Sequence, residues 1–324
     1  MNTTSFDRRR FLQSSCAAAA ALLAGRAGSS FAGLVDTSGK PKAGKIGDFK
    51  ISLAQWSLHK RLMADRSKMA DMNLDFPKWA AEEFGIQAVE YVNQFFKTKA
   101  HDSRYLAELK KRAADHGVTN VLIMIDGEGD LSLADAKGRD EAVENHKKWV
   151  DAAAELGCHA IRVNTGSNYS KTHTTEAAEA CGKLADYGKK HGIEIICENH
   201  GGPSSDPDAL LALIEAVGRP NFGTLPDFGN FPKKKSGAYD IDIYEAIARM
   251  MPHAKGVSAK SYDFGPDGGE TKLDYARILK IVTDAGYNGF IGIEYEGSRL
   301  SEPEGIKATK KLLETLRGSE YKPA

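Results

Sequence analysis

The stretch Gly192-Ile-Glu-Ile-Ile-Cys-Glu198-Asn199-His200 combines an apolar strand with a polar end able to bind a metal or move a proton. Three later stretches have the same form: Phe222-Gly-Thr-Leu-Pro-Asp227, Gly256-Val-Ser258-Ala-Lys260 and Phe290-Ile-Gly-Ile-Glu294-Tyr-Glu296. Strands that become polar at their C-terminal ends are typical of a parallel α/β barrel, whose active site lies at that rim. Because a carboxylate is costly to bury unpaired, several at one rim indicate a shared cation or a bound polar substrate. The sequence therefore indicates an enzyme.

The rest of the chain repeats a strand–helix unit about every 30 to 37 residues, which predicts a single-domain (β/α)8 TIM barrel over residues 49–320. The predicted strands are 50–56, 86–92, 118–125, 159–165, 192–199, 221–227, 255–260 and 289–295. Helical patterns lie near 75–84, 102–116, 139–156, 174–191, 206–217, 240–250, 271–285 and 303–317. A doubly wound sheet is the competing architecture. No Gly-x-Gly-x-x-Gly follows the first strand, so we expect the closed barrel.

The N-terminus has the features of an export signal. Asp7-Arg8-Arg9-Arg10-Phe11-Leu12-Gln13 resembles the twin-arginine signal and precedes a short apolar run, and Ser30-Phe31-Ala32 suits an export peptidase. The apolar run is too short to span a bilayer comfortably, so an uncleaved anchor is disfavoured. We expect residues 1–32 to be the signal, 33–48 a linker, and the mature protein to be periplasmic or otherwise exported without membrane insertion.

The charge and cysteine content exclude several classes of protein. The chain carries 44 basic and 44 acidic side chains, and removing the signal leaves a slightly acidic protein with no basic stripe. We therefore expect no nucleic-acid partner. The remaining cysteines, Cys158, Cys181 and Cys197, are odd in number and lack metal-type spacing, which predicts buried thiols and no disulfide framework. The sequence leaves room for a homo-oligomer.

The polar strand ends supply candidate metal ligands. Glu198 and His200 are two residues apart, so their side chains share one face of a strand. A carboxylate and an imidazole on one face are suitable ligands for Mn²⁺, Zn²⁺ or Mg²⁺, although imidazole disfavours Mg²⁺. With Asp227 and Glu294 they form the expected site for one divalent ion. The simpler interpretations are ion pairs for the glutamates, an Asx-turn for Asp227, and capping or substrate binding for His200.

Three motifs resemble the xylose-isomerase-like barrel superfamily over about residues 48–317. They are Glu198-Asn199-His200-Gly201-Gly202, Pro226-Asp227-Phe228-Gly229-Asn230 and Gly292-Ile293-Glu294-Tyr295-Glu296-Gly297. The superfamily includes sugar isomerases and epimerases, inosose dehydratase and hydroxypyruvate isomerase. The resemblance implies that Glu198, Asp227 and Glu294 bind one divalent metal. It also implies that the two glutamates flank the sugar carbons that exchange a proton.

The seventh strand departs from the pattern of that family. A fourth ligand, His, is common there in a His-x-Lys-Asp arrangement, but this chain has Ser258-Ala259-Lys260-Ser261, and Asn230 stands where a second His is frequent. Three interpretations stay open: His200 replaces the missing ligand, three carboxylates and water hold a harder ion, or the metal has been lost. We expect a retained metal, because the three carboxylates would otherwise repel one another. Lys260 is expected to add positive charge and to take part in catalysis.

Other rim residues are candidates for contacting a sugar. Trp56 and His59 follow the first strand, and an aromatic face stacks on the apolar side of a sugar ring, although core packing is the simpler explanation for the Trp. Glu90 ends the second strand and resembles a family position near the substrate. His200 and Asn230 complete the predicted substrate-binding set. Asp126 and Asn164 end the third and fourth strands and are further candidates for binding hydroxyl groups.

This arrangement predicts proton transfer through an enediolate. A metal bound to a sugar carbonyl and its neighbouring hydroxyl acidifies the C–H bond between them, and Glu198 and Glu294 can remove and return the proton. The absence of a phosphate loop and the expected export indicate an unphosphorylated sugar, keto-sugar or cyclitol. Alternatives are a keto-sugar dehydratase or lyase and a non-catalytic periplasmic sugar-binding protein. A nuclease similar to endonuclease IV is disfavoured, because most of the nine histidines lie on predicted helices or loops.

Overall fold

The structure is a computed structural model that describes residues 36–323 of the 324-residue chain. The predicted export signal, residues 1–32, lies outside the described residues. Residues 36–324 form one compact unit.

Eight parallel strands form the centre of this unit, as predicted. Most are rich in branched apolar residues, which suits strands covered by helices on one side and packed inside the barrel on the other. The strands are β1 Lys50–Ala54, β2 Ala88–Val92, β3 Thr119–Met124, β4 Ala160–Val163, β5 Glu194–Glu198, β6 Phe222–Leu225, β7 Val257–Ser261 and β8 Phe290–Tyr295.

The sheet curls until its two edge strands meet. β1 pairs with β2 on one side and with β8 on the other, and the ladder continues without interruption from β2 to β6. Between β6 and β7 the contact consists of two parallel bridges, Thr224–Ala254 and Asp227–Ser258. The Ser258 N–H donates to the Pro226 carbonyl at 3.0 Å. Because Pro226 has no N–H to donate, it weakens the pairing at this junction.

Eight helices cover the barrel, one after each strand, and each buries an apolar face against the sheet. Asp102 and Asp206 cap two of these helices by accepting backbone N–H bonds. Two short helices after β1, His59–Met63 and Met69–Leu74, were not predicted. The eight are α1 Phe76–Phe84, α2 Ser103–Asp115, α3 Ala136–Leu156, α4 Thr175–His191, α5 Pro207–Val217, α6 Ile243–Met250, α7 Tyr275–Asp284 and α8 Glu302–Leu316.

The described part of the segment predicted as a linker packs on the barrel. Gly44–Lys45 pairs in antiparallel fashion with Glu320–Tyr321, and Ile46 is completely buried. The Arg277 guanidinium donates to the Gly39 carbonyl at 2.8 Å. These contacts tie residues 36–48 to the helical layer and to the C-terminal end of the chain.

The cysteines behave as the sequence predicts. Cys158, Cys181 and Cys197 are buried and unpaired within the described chain. Across residues 36–323, no helix combines the length and the apolar character needed to cross a bilayer.

Candidate active site

Three buried carboxylates meet at the C-terminal rim of the barrel. Glu198 ends β5, Asp227 follows β6, and Glu294 lies near the end of β8. One ligand oxygen from each lies within 4.8 Å of the other two. The structure thus brings together three of the four predicted metal ligands, because parallel strands deliver their C-terminal ends to the same rim.

Ser258 bridges two of the three carboxylates. Its hydroxyl oxygen lies 2.6 Å from Asp227 Oδ2 and 2.9 Å from Glu294 Oε2. A hydroxyl has one proton, so it donates to one of these carboxylates at a time. The residue that stands where the family commonly has His therefore holds Asp227 and Glu294 close together.

Lys260 is the first of two buried cations in this cluster. Its ammonium group lies 2.9 Å from Glu294 Oε1, 3.2 Å from Glu296 Oε2 and 4.0 Å from Asp227 Oδ2. Although burial opposes the shift, Lys260 and Ser258 hold the pKa of Glu294 below its ordinary value. Glu294 is therefore the anionic partner of Lys260. Glu296 contacts the same ammonium group.

Arg162 is the second buried cation, and the sequence analysis missed it. Its Nη1 lies 2.8 Å from Asp126 Oδ1 and its Nε 2.9 Å from Glu198 Oε2. Although burial opposes the shift, Arg162 lowers the pKa of Asp126 to about 2. Asn164 also donates to Asp126, and the binding of substrate hydroxyls by these two residues stays a prediction. The available signal was a charged residue inside the apolar strand Ala160–Val163.

The cluster nevertheless keeps a surplus of negative charge. Burial raises the pKa of Glu198 and of Asp227 to about 7. The Arg162 N–H is not directed at Glu198 Oε2, so that buried oxygen has no hydrogen-bond partner within the described chain. Two cations face five carboxylates: Glu198, Asp227, Glu294, Asp126 and Glu296. The buried acidic triad can hold a divalent cation, and its all-oxygen donor set fits a hard ion.

Glu90 lies inside the barrel beside this cluster. It is 2% exposed, and its Oε1 accepts a hydrogen bond of 2.6 Å from the Ser52 hydroxyl. A Cβ on residue 292 would lie 2.5 Å from Glu90 Oε2. The close packing of the Glu90 side chain against the backbone of β8 therefore requires Gly292. Burial raises the pKa of Glu90 from about 4.5 to about 8, with smaller contributions from Glu294 and Glu198. Glu90 is therefore a buried neutral acid at pH 7, and its role as a substrate contact stays a prediction.

We predict that Glu90→Gln stabilises the metal-free protein above pH 5. Below about pH 4.5 the Glu90 carboxyl is protonated in both the folded and unfolded states, so the change has little effect. Between about pH 4.5 and 8 the unfolded state loses this proton first, and the folded wild type loses stability as the pH rises. At pH 9 the variant should gain about 2 to 4 kcal/mol in free energy of unfolding. Urea titrations of both proteins at pH 5 and pH 9 measure this difference, and equal gains at the two pH values would contradict it.

The other predicted substrate contacts have different surroundings. Trp56 stacks on His59 with ring centroids 4.8 Å apart, and His59 Nδ1 lies 2.7 Å from the Trp56 carbonyl. The Asn230 amide donates to Glu198 Oε1 at 2.9 Å, so it orients a candidate catalytic group. His200 is exposed, and the structure does not bring it into the group of metal ligands. The role of His200 as a fourth ligand stays a prediction.

Comparisons with known proteins agree with this architecture. The putative hydroxypyruvate isomerase of Mus musculus is 25% identical over 184 residues, which cover 52% of this chain and 65% of that protein. The D-allulose 3-epimerase of Methylomonas sp. superimposes with a TM-score of 0.64 at 14% identity, covering 85% of this chain and 99% of its own. A xylose isomerase-like TIM barrel protein from Mycobacterium smegmatis, in complex with magnesium, gives 0.58 at 19% identity, covering 83% and 96%.

A family model matches most of the barrel and identifies the family of this chain. The family model described as xylose isomerase-like TIM barrel matches residues 79–317, which run from α1 to the end of α8 and include every carboxylate of the triad. The resemblance noted in the sequence is thereby confirmed. The chain belongs to the xylose isomerase-like TIM barrel family.

Proposed function

We propose that the chain is an exported, metal-dependent isomerase or epimerase that acts on an unphosphorylated sugar, keto-sugar or cyclitol. The observation that carries this proposal is the buried triad of Glu198, Asp227 and Glu294 at the rim of the barrel. Its relatives support the reaction class, because they include a D-allulose 3-epimerase and a putative hydroxypyruvate isomerase.

The residues that would hold the metal are the three carboxylates of the triad. Their oxygens suit Mg²⁺ or Mn²⁺ better than Zn²⁺, which more often has nitrogen or sulfur ligands. When bound, such an ion acidifies the C–H bond beside a sugar carbonyl and stabilises the enediolate oxygen. The magnesium complex of the Mycobacterium smegmatis relative supports this assignment.

The chain's own residues divide the proton transfer between them. Glu294 is held anionic beside Lys260, which suits it to take a proton from a carbon next to the carbonyl. Glu198 is the second glutamate of the triad, and we assign to it the return of a proton to carbon. Return of the proton to the opposite face of the same carbon gives an epimer, and return to the adjacent carbon gives an aldose–ketose isomer. Lys260 offers positive charge to the oxygen that becomes anionic.

Solvent exchange combined with metal content tests this proposal. The purified protein in D₂O should incorporate deuterium into D-fructose or D-allulose when supplied with Mg²⁺ or Mn²⁺, and EDTA should abolish this exchange. Asp227→Asn should lower the bound metal measured by elemental analysis to less than half that of wild type. Glu296→Gln, at the same rim but outside the triad, should retain the metal. A metal-loaded protein that exchanges no keto-sugar or cyclitol would leave a sugar-binding protein as the better assignment.

Export is a separate proposal that rests on the sequence of residues 1–32. If Arg8, Arg9 and Arg10 form a twin-arginine signal, replacing all three by Lys should leave most of the precursor in the cytoplasm. Fractionation of cells that express the wild type and the variant measures this distribution. Normal export of the triple variant would refute the twin-arginine assignment.

A further inference from the structure

A cleft opens beside the carboxylate cluster at the mouth of the barrel. It has a volume of about 430 Å³, within the range of small-molecule sites, and its lining includes His200, Asn230, Phe231, Lys233 and Tyr262. The Asn230 amide donates to Glu198 Oε1, and the backbone N–H groups of Gly229 and Asn230 donate to Asp227. Two residues that line the cleft therefore contact the triad directly.

Lys233 lines this cleft, and Lys272 lies over the ring of Tyr262, which lines it as well. Lys233 Nζ lies 4.7 Å from the centroid of Tyr262, and Lys272 Nζ lies 5.1 Å from the same centroid. Lys233 is placed by a short hairpin in which it bridges to Tyr239. Burial and the charge of Lys272 lower the pKa of Lys233 below its ordinary value.

Neither ammonium group has an acidic partner. Among residues 36–323, no carboxylate oxygen lies within 4.0 Å of Lys233 Nζ or Lys272 Nζ. The nearby acids have other partners: Glu270 accepts four backbone N–H bonds, two of them at 2.6 Å, and Glu296 contacts Lys260. Two exposed ammonium groups without an acidic partner in the described chain therefore lie at this cleft, next to the carboxylate cluster.

We propose that Lys233 and Lys272 bind an anionic substituent of the substrate, so that this enzyme acts on acidic sugars in preference to neutral ones. The inference rests on the proposed sugar-directed function and adds a substrate class to it. An anion placed between the two ammonium groups forms charge-assisted hydrogen bonds and relieves their mutual repulsion. Because the proposed substrate is unphosphorylated, we expect the anion to be a carboxylate, as in a sugar acid. A phosphate ester has the same chemistry, and a preference for it would replace the unphosphorylated substrate of the proposed function.

Binding of three matched sugars to the metal-loaded protein tests the proposal. D-glucose, D-glucuronate and D-glucose 6-phosphate share a ring and differ in charge, and saturation-transfer NMR titrations measure their dissociation constants even in the millimolar range. At low ionic strength we expect an acidic sugar to bind at least about tenfold more tightly than D-glucose, the size expected for a charge-assisted contact. Tighter binding of D-glucuronate identifies a carboxylate as the preferred group, and tighter binding of the ester identifies a phosphate.

Lysine variants test whether Lys233 and Lys272 cause the preference for an acidic sugar. The double variant Lys233→Met/Lys272→Met should bind the acidic and neutral sugars equally. Lys190→Met removes an exposed lysine in the last turn of α4, far from the mouth, and should keep the preference. Equal affinity of wild type for all three sugars, or a preference that survives the double variant, overturns the proposal. The exchange assay above uses neutral keto-sugars and is therefore repeated with the acidic sugar that binds most tightly. Absence of exchange into both neutral and acidic sugars, with lysine-dependent binding of the acid retained, would reject the isomerase assignment and leave the binding of an acidic sugar standing.

Discussion

Replacing Glu294 by Gln should slow solvent exchange into a keto-sugar by about 10²- to 10⁴-fold, the usual contribution of a general base. Gln keeps the size of the side chain and one oxygen acceptor, so Ser258 can still donate to it. It removes the negative charge that Lys260 holds at 2.9 Å and the capacity to accept a proton from carbon. Rates of deuterium incorporation into D-fructose or D-allulose, measured by NMR in D₂O, give the effect.

Weaker metal binding would contribute to this loss, so two controls separate the causes. The assay is run at saturating Mn²⁺, where a reduced affinity no longer limits the rate. Glu296→Gln removes the other carboxylate that contacts Lys260 but leaves the triad complete, so its rate should stay within about tenfold of wild type. Retention of full exchange activity by Glu294→Gln at saturating metal would show that another group takes the proton.

The barrel and three of its metal-ligand candidates were predictable because both follow from local patterns. Each observed strand overlaps its predicted range, since apolar runs bounded by turns and glycines mark strands without knowledge of their neighbours. Glu198, Asp227 and Glu294 stand where such runs end. Parallel topology then brings them together whatever the details of packing.

The rest of the site depends on contacts between residues distant in sequence. In the sequence, Ser258 shows only that the His common in the family is absent. Its position between Asp227 and Glu294 depends on β6, β7 and β8 lying side by side. Lys233 and Lys272 both lie over the Tyr262 ring, although they belong to two separate loops. The conformation of a loop leaves no periodic pattern in the sequence. Residues 44–45 find their strand partner at the opposite end of the chain.

Charge balance explains why Arg162 and Lys260 are buried so deeply. The two cations form ion pairs with different carboxylates of the cluster. Lys260 pairs with Glu294, and Arg162 pairs with Glu198 and Asp126. Asp227 has a longer contact of 4.0 Å with Lys260 and depends more on backbone N–H donors from Gly229 and Asn230. The two cations offset part of the carboxylate charge, and the remaining negative charge suits the triad to hold a divalent cation.

Arg162→Met should therefore lower the free energy of unfolding of the metal-free protein by about 3 to 5 kcal/mol near pH 8, because it leaves Glu198 and Asp126 without their cation. Arg139→Met is the matched control. It also removes a buried guanidinium, but the Glu179 left behind is 46% exposed and can be hydrated, so the cost should stay near 1 kcal/mol. Urea denaturation in EDTA measures both values.

Mg²⁺ should then raise the melting temperature of Arg162→Met more than that of wild type, since the ion supplies charge that the arginine no longer provides. Equal destabilisation by the two arginine variants, or equal responses of wild type and Arg162→Met to Mg²⁺, would show that Arg162 does not balance the charge of the triad.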